Sequence, residues 1–287
     1  VKTSKIIAAI ALAAGSLLTV AHANPTPAIT NFDFTTEGGF IDNSATCNTS
    51  YNPSNPACEL AYSGASDPGL YPGVTHNQVS WGIPFTAQGQ SALFTQHYSS
   101  TSGTTNSLSN TLTHIAPQII TNGGWVTIDS FNHANNVITA AGNAMANVGL
   151  YGQFDLTPPG IVVPGLTSVA FTETPNLAHA SDCPGPNPAG TACDDFFDTT
   201  PLNGTAFLFS DGTFNYYLSF QFLDGPGAFL EPSPISGDVR IYTAEGQIST
   251  IFTQARIDAV MIPEPGALAL FGVALAALGF VRGRKQK

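Results

Sequence analysis

Thr205-Ala206-Phe207-Leu208-Phe209-Ser210-Asp211-Gly212-Thr213-Phe214-Asn215-Tyr216-Tyr217-Leu218-Ser219-Phe220-Gln221-Phe222-Leu223 is the stretch that decides the fold class. Phe214, Tyr216, Leu218, Phe220 and Phe222 recur every second residue, which places all five on one face of an extended strand. Asp211-Gly212 between two such runs is a short-hairpin signal, because glycine enters the left-handed region that a tight turn demands. The segment therefore predicts a β-hairpin with one arm packed on a core. Val239 to Ala244, a turn at Glu245-Gly246 and Gln247 to Thr253 predict a second hairpin. Upstream, short runs rich in β-branched and aromatic residues lie between turn residues: Ile29 to Thr35, Glu59 to Ser63, Asn77 to Gly82, Ala92 to His97, Trp125 to Asn132, Val148 to Leu156 and Val169 to Glu173. Twenty-one prolines and twenty-eight glycines punctuate the 287 residues. Short strands at this spacing predict an all-β, jelly-roll-like β-sandwich over 24–261. Ser99 to Asn110, rich in Ser, Thr, Asn and Gly, reads as a connector or hairpin tip within it.

The two ends have a different character. Lys2 and Lys5 precede an apolar run from Ile6 to Leu18, and Ala21-His22-Ala23 offers small residues at the positions a signal peptidase reads. Residues 1–23 are therefore expected to be a signal peptide, with Ala21 and Ala23 as the cleavage determinants. At the other end Pro263-Glu264-Pro265 precedes an apolar run, and Arg282, Arg284, Lys285 and Lys287 close the chain. The prolines keep the tripeptide extended and open to a protease. The apolar run enters a bilayer as a transmembrane helix, and the basic cluster holds its end on the cytoplasmic side. Ala267 to Val281 would be only roughly 22 Å long as a helix, short against a hydrocarbon core of about 30 Å. That suits a transient inner-membrane intermediate.

This three-part ending, over 262–287, resembles the PEP-CTERM sorting domain of Gram-negative bacteria. The resemblance implies processing by an exosortase near Pro263, Glu264 and Pro265, and delivery to the cell surface or extracellular matrix, including that of biofilms. Two internal stretches resemble the THxN family of PEP-CTERM proteins. They are Val79-Ser80-Trp81-Gly82-Ile83-Pro84 with Gly89-Gln90-Ser91-Ala92-Leu93, and Phe131-Asn132-His133-Ala134-Asn135-Asn136-Val137-Ile138. Asn132 stands where that family has Thr, while His133 and Asn135 match. This resemblance implies a β-sandwich and an exported life, and no enzymatic activity. In a strand, His133 and Asn135 share a face, suited either to lining a shallow site or to pinning a loop by hydrogen bonds.

Between the sorting segments only Arg240 and Arg256 oppose eighteen carboxylates, a formal net charge of −16. Such a surface repels phosphate backbones and excludes nucleic acid as a partner. The cysteines pair by proximity as Cys47 with Cys58 and Cys183 with Cys193, two small loops suited to an exported chain. Asp182, Asp194, Asp195 and Asp198 flank the second loop and form the Ca²⁺ candidate, since hard oxygen ligands suit that ion. A solvated acidic loop is the plainer reading, and no other cofactor is expected. Trp81, Trp125, Tyr216 and Tyr217 are rings that could stack on sugars or fill the core.

No G-x-S-x-G elbow, H-E-x-x-H helix or phosphate loop occurs. The expectation is a non-enzymatic, exosortase-sorted surface or matrix protein, with exopolysaccharide or other matrix components as partners. A carbohydrate-binding or Ca²⁺-dependent adhesin module is the alternative, and a secreted hydrolase using two of the acids ranks third.

Overall fold

A computed structural model describes residues 26–48, 58–64, 72–83, 89–101, 114–138, 143–174, 180–183, 185–190, 193–199, 204–235 and 237–263, with 266, 272, 273 and 275. The expected signal peptide, the connector from 102 to 110, Glu264, Pro265 and the basic tail lie outside the described residues. No helix among the described residues is long and apolar enough to cross a membrane.

The chain is nearly all β, as the alternation in the 205–223 segment requires. Its strands form two facing leaves of a curled antiparallel sheet. The first leaf runs in the order β15 (Ala228–Pro232), β16 (Val239–Thr243), β12 (Asp195–Thr199), β11 (Ile161–Thr172), β10 (Ala144–Thr157), β1 (Asn31–Ile41) and β4 (Val74–His76). The short β2 (Thr46–Asn48) also pairs with β10. The second leaf runs β3 (Ala61–Ser63), β5 (Gln78–Trp81), β6 (Ser91–Ser99), β9 (Val126–Asn135), β17 (Gln247–Met261), β14 (Phe214–Asp224) and β13 (Gly204–Ser210). The leaves join where Thr35 of β1 meets Ser99 of β6. There β7 (His114–Ile115) pairs with β6 and β8 (Ile119–Ile120) with β1.

β13 and β14 are the expected hairpin. Gly212 has φ 89°, and the Asp211 carboxylate accepts the backbone N–H groups of Thr213 and Phe214 at 2.8 and 2.7 Å and the Tyr216 hydroxyl at 3.0 Å. Those N–H groups hold the Asp211 carboxyl below its ordinary range. Phe214, Tyr216 and Leu218 are buried, and Phe220 and Phe222 pack on the same interior.

The second hairpin is corrected. β16 pairs with β12 and β15, whereas β17 pairs with β9 and β14, so Glu245-Gly246 carries the chain from one leaf to the other. Alternation and a turn signal establish two strands and a reversal; they do not say whether the strands pair or pack face to face. β11 also begins eight residues earlier than its expected start at Val169. Pro164 sits on a length of β11 that β12 does not reach, where an edge strand loses nothing by lacking an N–H.

The interior holds two clusters of side chains. One gathers Phe40, Trp81, Leu93, Met145, Phe171, Phe197 and Ile241, the other Phe32, Phe34, Ile119, Leu156, Tyr216, Leu218 and Ile257. Each draws on both leaves, which is what makes the pair a sandwich.

Candidate functional site

The two stretches around Trp81 and His133, fifty residues apart in sequence, meet inside the first cluster. His133 faces inward from β9, and its ring stacks on Trp81 from β5 with centroids 5.5 Å apart and planes 18° from parallel. Phe171 and Phe197 turn their edges toward the imidazole at 5.3 and 6.1 Å. Nδ1 lies 2.8 Å from Thr243 Oγ1 and Nε2 lies 3.0 Å from Ser91 Oγ. Thr243 spends its own proton on the Asp195 carbonyl at 3.2 Å. That leaves Nδ1–H to donate to Thr243, and Nε2 to share the Ser91 hydroxyl proton with the Ala134 carbonyl 3.2 Å from Ser91 Oγ. With hydroxyls for partners and no access to water, burial pushes the His133 pKa down to about 3, so the ring is neutral.

Asn135, two residues on and on the same face, donates to the Thr243 carbonyl at 3.1 Å. Since β9 belongs to one leaf and β16 to the other, His133 and Asn135 together staple the leaves. The flanking residues complete the lock. Asn136 donates to the Gln90 carbonyl, and Gln90 donates to the carbonyls of Gly82 and Glu59. Gly82 has φ +81°, and a Cβ there would stand 2.5 Å from Ile138 Cγ2. Asn132 points the other way, accepting from Thr250 Oγ1 at 2.8 Å.

Chemically, Ser91 beside His133 has the beginning of a nucleophile–base pair. What stands behind His133 is a hydroxyl where a triad places a carboxylate. Ser91, His133, Asn135 and Thr243 are all 0% exposed, so a substrate would have to displace the core to reach them. The geometry is that of a hydrogen-bonded pin.

Against this pin lies a group of carboxyls that the sequence reading did not single out as a set. Asp195 and Glu173 are buried, and both are pushed well above the ordinary carboxylate range, first by burial and then by neighbouring acids. Glu245, brought over by the β16–β17 crossing, is raised to about 7, chiefly by burial. The Asn135 amide faces Asp195 and Glu245, and the Trp81 indole N–H faces Glu173. Protonation is the way such a group avoids paying for buried like charges. No sequence spacing links residues 173, 195 and 245; only the topology does.

The four aspartates proposed for Ca²⁺ do not converge. Asp195 faces inward and accepts the Thr174 N–H at 2.7 Å. Asp198, three positions along the same strand, faces outward and takes Arg240 in a two-pronged ion pair at 2.9 and 2.7 Å. Asp194 accepts the Ala189 N–H at 2.7 Å, and the exposed Asp182 has Ser181 as its partner. The odd spacing between Asp195 and Asp198 in a strand separates them by the thickness of the sheet. Among the described residues, no group of three or more His, Cys, Asp or Glu side chains is arranged to hold a metal.

Both disulfides form as expected, Cys47–Cys58 and Cys183–Cys193. Trp81 and Tyr216 are core, whereas Trp125 and Tyr217 are half-buried on the outer face of the second leaf. Pro263 is described, and Ile262 alone separates it from the end of β17 at Met261.

No curated protein matches this sequence. Residues 262–285 match the PEP-CTERM protein-sorting motif, and the chain is accordingly an exported, cell-surface or extracellular protein that an exosortase processes.

Proposed function

We propose that the sandwich is a non-enzymatic module of a bacterial cell surface or extracellular matrix, related to the THxN proteins and carried there by exosortase sorting. The observation that carries this reading is the sorting motif at 262–285, joined directly to a sandwich whose histidine motif is spent on internal bonding. Before sorting, signal peptidase would remove 1–23, and the C-terminal segment would rest transiently in the inner membrane. The test is intact-mass analysis of protein recovered from the matrix of an exosortase-positive host. Loss of the tail through Lys287 is expected there, with chain that still carries Lys287 retained in the cell envelope of an exosortase-null strain. Matrix protein that still carries Lys287, or equal matrix recovery from both strains, would overturn the reading.

A second reading, carbohydrate binding, rests on the outer face of the second leaf. Phe207 is 57% exposed and meets the Tyr217 ring at 5.8 Å. Arg256 lies 4.9 Å over Trp125 and pairs with Asp258 at 2.9 Å. Flat rings interleaved with a charged pair suit the alternating apolar and hydroxylated faces of sugars. Co-sedimentation with the host's exopolysaccharide should fall on Tyr217→Ala and Trp125→Ala; no loss with either would remove this reading.

A further inference from the structure

Between the two clusters of core side chains the leaves enclose a cavity of about 140 Å³. Strand pairing explains why it is there. Gly38 of β1 stands opposite Gly152 of β10, and Gly152 stands opposite Gly165 of β11. Residues directly opposite one another in adjacent strands project to the same face. Gly152 and Gly165 alternate with the inward-facing Phe154 and Val163, so three neighbouring strands present no side chain to the interior at one level. The facing row on the second leaf is His97, Asp129, Thr253 and Phe222, each opposite the next. His97 Nε2 reaches across to the Gly38 carbonyl at 3.2 Å, which fixes the two rows at the same height. Both rows line the cavity, together with apolar side chains that include Phe154, Phe220 and Ile251.

Two features distinguish this space from a packing defect. Its wall carries an ionisable pair, His97 Nδ1 at 3.3 Å from Asp129 Oδ2, and the buried Asp129 Oδ1 has no hydrogen-bond partner among the described residues. Val163, Gly165 and Thr167 occupy inward positions of β11 yet are only half-buried, which marks a mouth on that side. An apolar cleft with a few convergent polar groups is the usual form of a small-molecule site. In size it matches an engineered protein cavity of about 150 Å³ that admits benzene.

We propose that this cavity binds a small, ring-sized apolar molecule bearing one hydrogen-bond donor, of the phenol class, with its ring among Phe154, Phe220 and Ile251 and its hydroxyl on Asp129 Oδ1. The site is independent of the His133 pin and of any glycan on the outer face. Gly152 gives the means of testing it, because a Cβ there would meet no atom within 4 Å, so a longer side chain grows into the space. The full-length chain should bind p-cresol saturably, with methyl NMR shifts concentrated at Ile128, Val163 and Ile251. Gly152→Leu should weaken binding at least tenfold while keeping the β-sheet circular dichroism, and toluene should bind at least fivefold more weakly than p-cresol. Should Gly152→Leu not fold, Thr253→Leu, which enters from the opposite leaf, carries the same expectation. Absence of saturable shifts up to the solubility of p-cresol, or undiminished affinity in the filled variant, would overturn the site. Equal affinity for toluene would overturn the role of Asp129.

Discussion

His133 and His97 are both inward-facing and almost equally buried, at 0% and 6% exposed, yet the fold treats them in opposite ways. His133 has two hydroxyl partners and an indole against its face, and it is held neutral. Burial works against a charge on His97 as well, but the Asp129 carboxylate beside it outweighs that cost, and its pKa is raised. The chemistry opposite each ring sets its charge, since depth alone would neutralise both. The two also differ in what faces them across the sandwich. Phe171, Phe197 and Thr243 fill the space around His133, whereas a glycine row leaves the space around His97 open. One end of the core is a closed pin and the middle is a lined void.

The largest expected effects come from breaking the pin. Trp81→Ala removes the largest fully buried side chain in the cluster and should cost about 4 kcal/mol in urea unfolding. His133→Ala leaves the buried Ser91 and Thr243 hydroxyls short of a partner as well as a hole, and should cost roughly 3 kcal/mol. A loss below about 1 kcal/mol for either would mean the stack is incidental to stability.

Acid should separate the two histidines next. His133 has a folded pKa of about 3 against an unfolded value near 6.5. Between those values the unfolded chain binds a proton that the folded chain refuses. This group therefore costs stability as pH falls, by up to about 1.4 kcal/mol per pH unit. His97, with its folded pKa raised, contributes in the opposite sense: its stabilisation is complete below the unfolded pKa and is lost as pH rises through the folded one. His97→Gln should thus destabilise more at pH 5 than at pH 8, and His133→Gln should flatten the acid limb of the stability curve. Equal effects of His97→Gln at both pH values would break the contrast.

Glu245 gives a smaller effect. Its pKa, raised to about 7, means the folded chain holds a proton that the unfolded chain releases above about 4.5. Stability from this group falls as pH rises from 4.5 to 7. Glu245→Gln, which mimics the protonated acid, should match the wild type at pH 4 and exceed it by about 1 kcal/mol at pH 8. A variant less stable than the wild type at pH 8 would show that a charged Glu245 has a favourable partner.

The alternation of Phe214 to Phe222 and the Asp211-Gly212 turn made the sandwich legible, because each is a local rule with a local outcome. Cysteine proximity worked for the same reason. What escaped was set by which leaf a strand joins. The crossing at Glu245-Gly246 looks like a hairpin in sequence, and that one difference conceals how Glu245 comes to lie beside Asp195. β12 was missed because Asp195 and Asp198, two of its five residues, read as part of an acidic loop. Once it is a strand, Asp198 turns out to Arg240 and Asp195 in to Thr174. Trp81 and His133 were both singled out, yet nothing in a chain fifty residues long between them says that their rings stack. The glycine row is invisible for a related reason, since Gly38, Gly152 and Gly165 align only once the register of three strands is known.

The smallest expected effect bears on whether those glycines serve room or close approach. At Gly82, φ is +81° and a Cβ would stand 2.5 Å from Ile138, so Gly82→Ala combines backbone strain with a clash and should destabilise by about 2 kcal/mol. Gly38 leaves no space either, because a Cβ there would strike the Tyr151 carbonyl oxygen at 2.5 Å. Gly152 differs from both: it has no positive φ, and its Cβ would touch nothing within 4 Å. Alanine at such a position restricts the unfolded chain without straining the folded one, and should stabilise by roughly 0.5 kcal/mol. The added methyl projects toward the cavity and displaces nothing there, so no packing cost offsets that gain. Urea midpoints for Gly152→Ala and Gly38→Ala should therefore move in opposite directions, although the two residues face each other across one strand pair. If both fell together, the row would be there to let β1 and β10 approach, and the void beneath it would be a by-product of that approach.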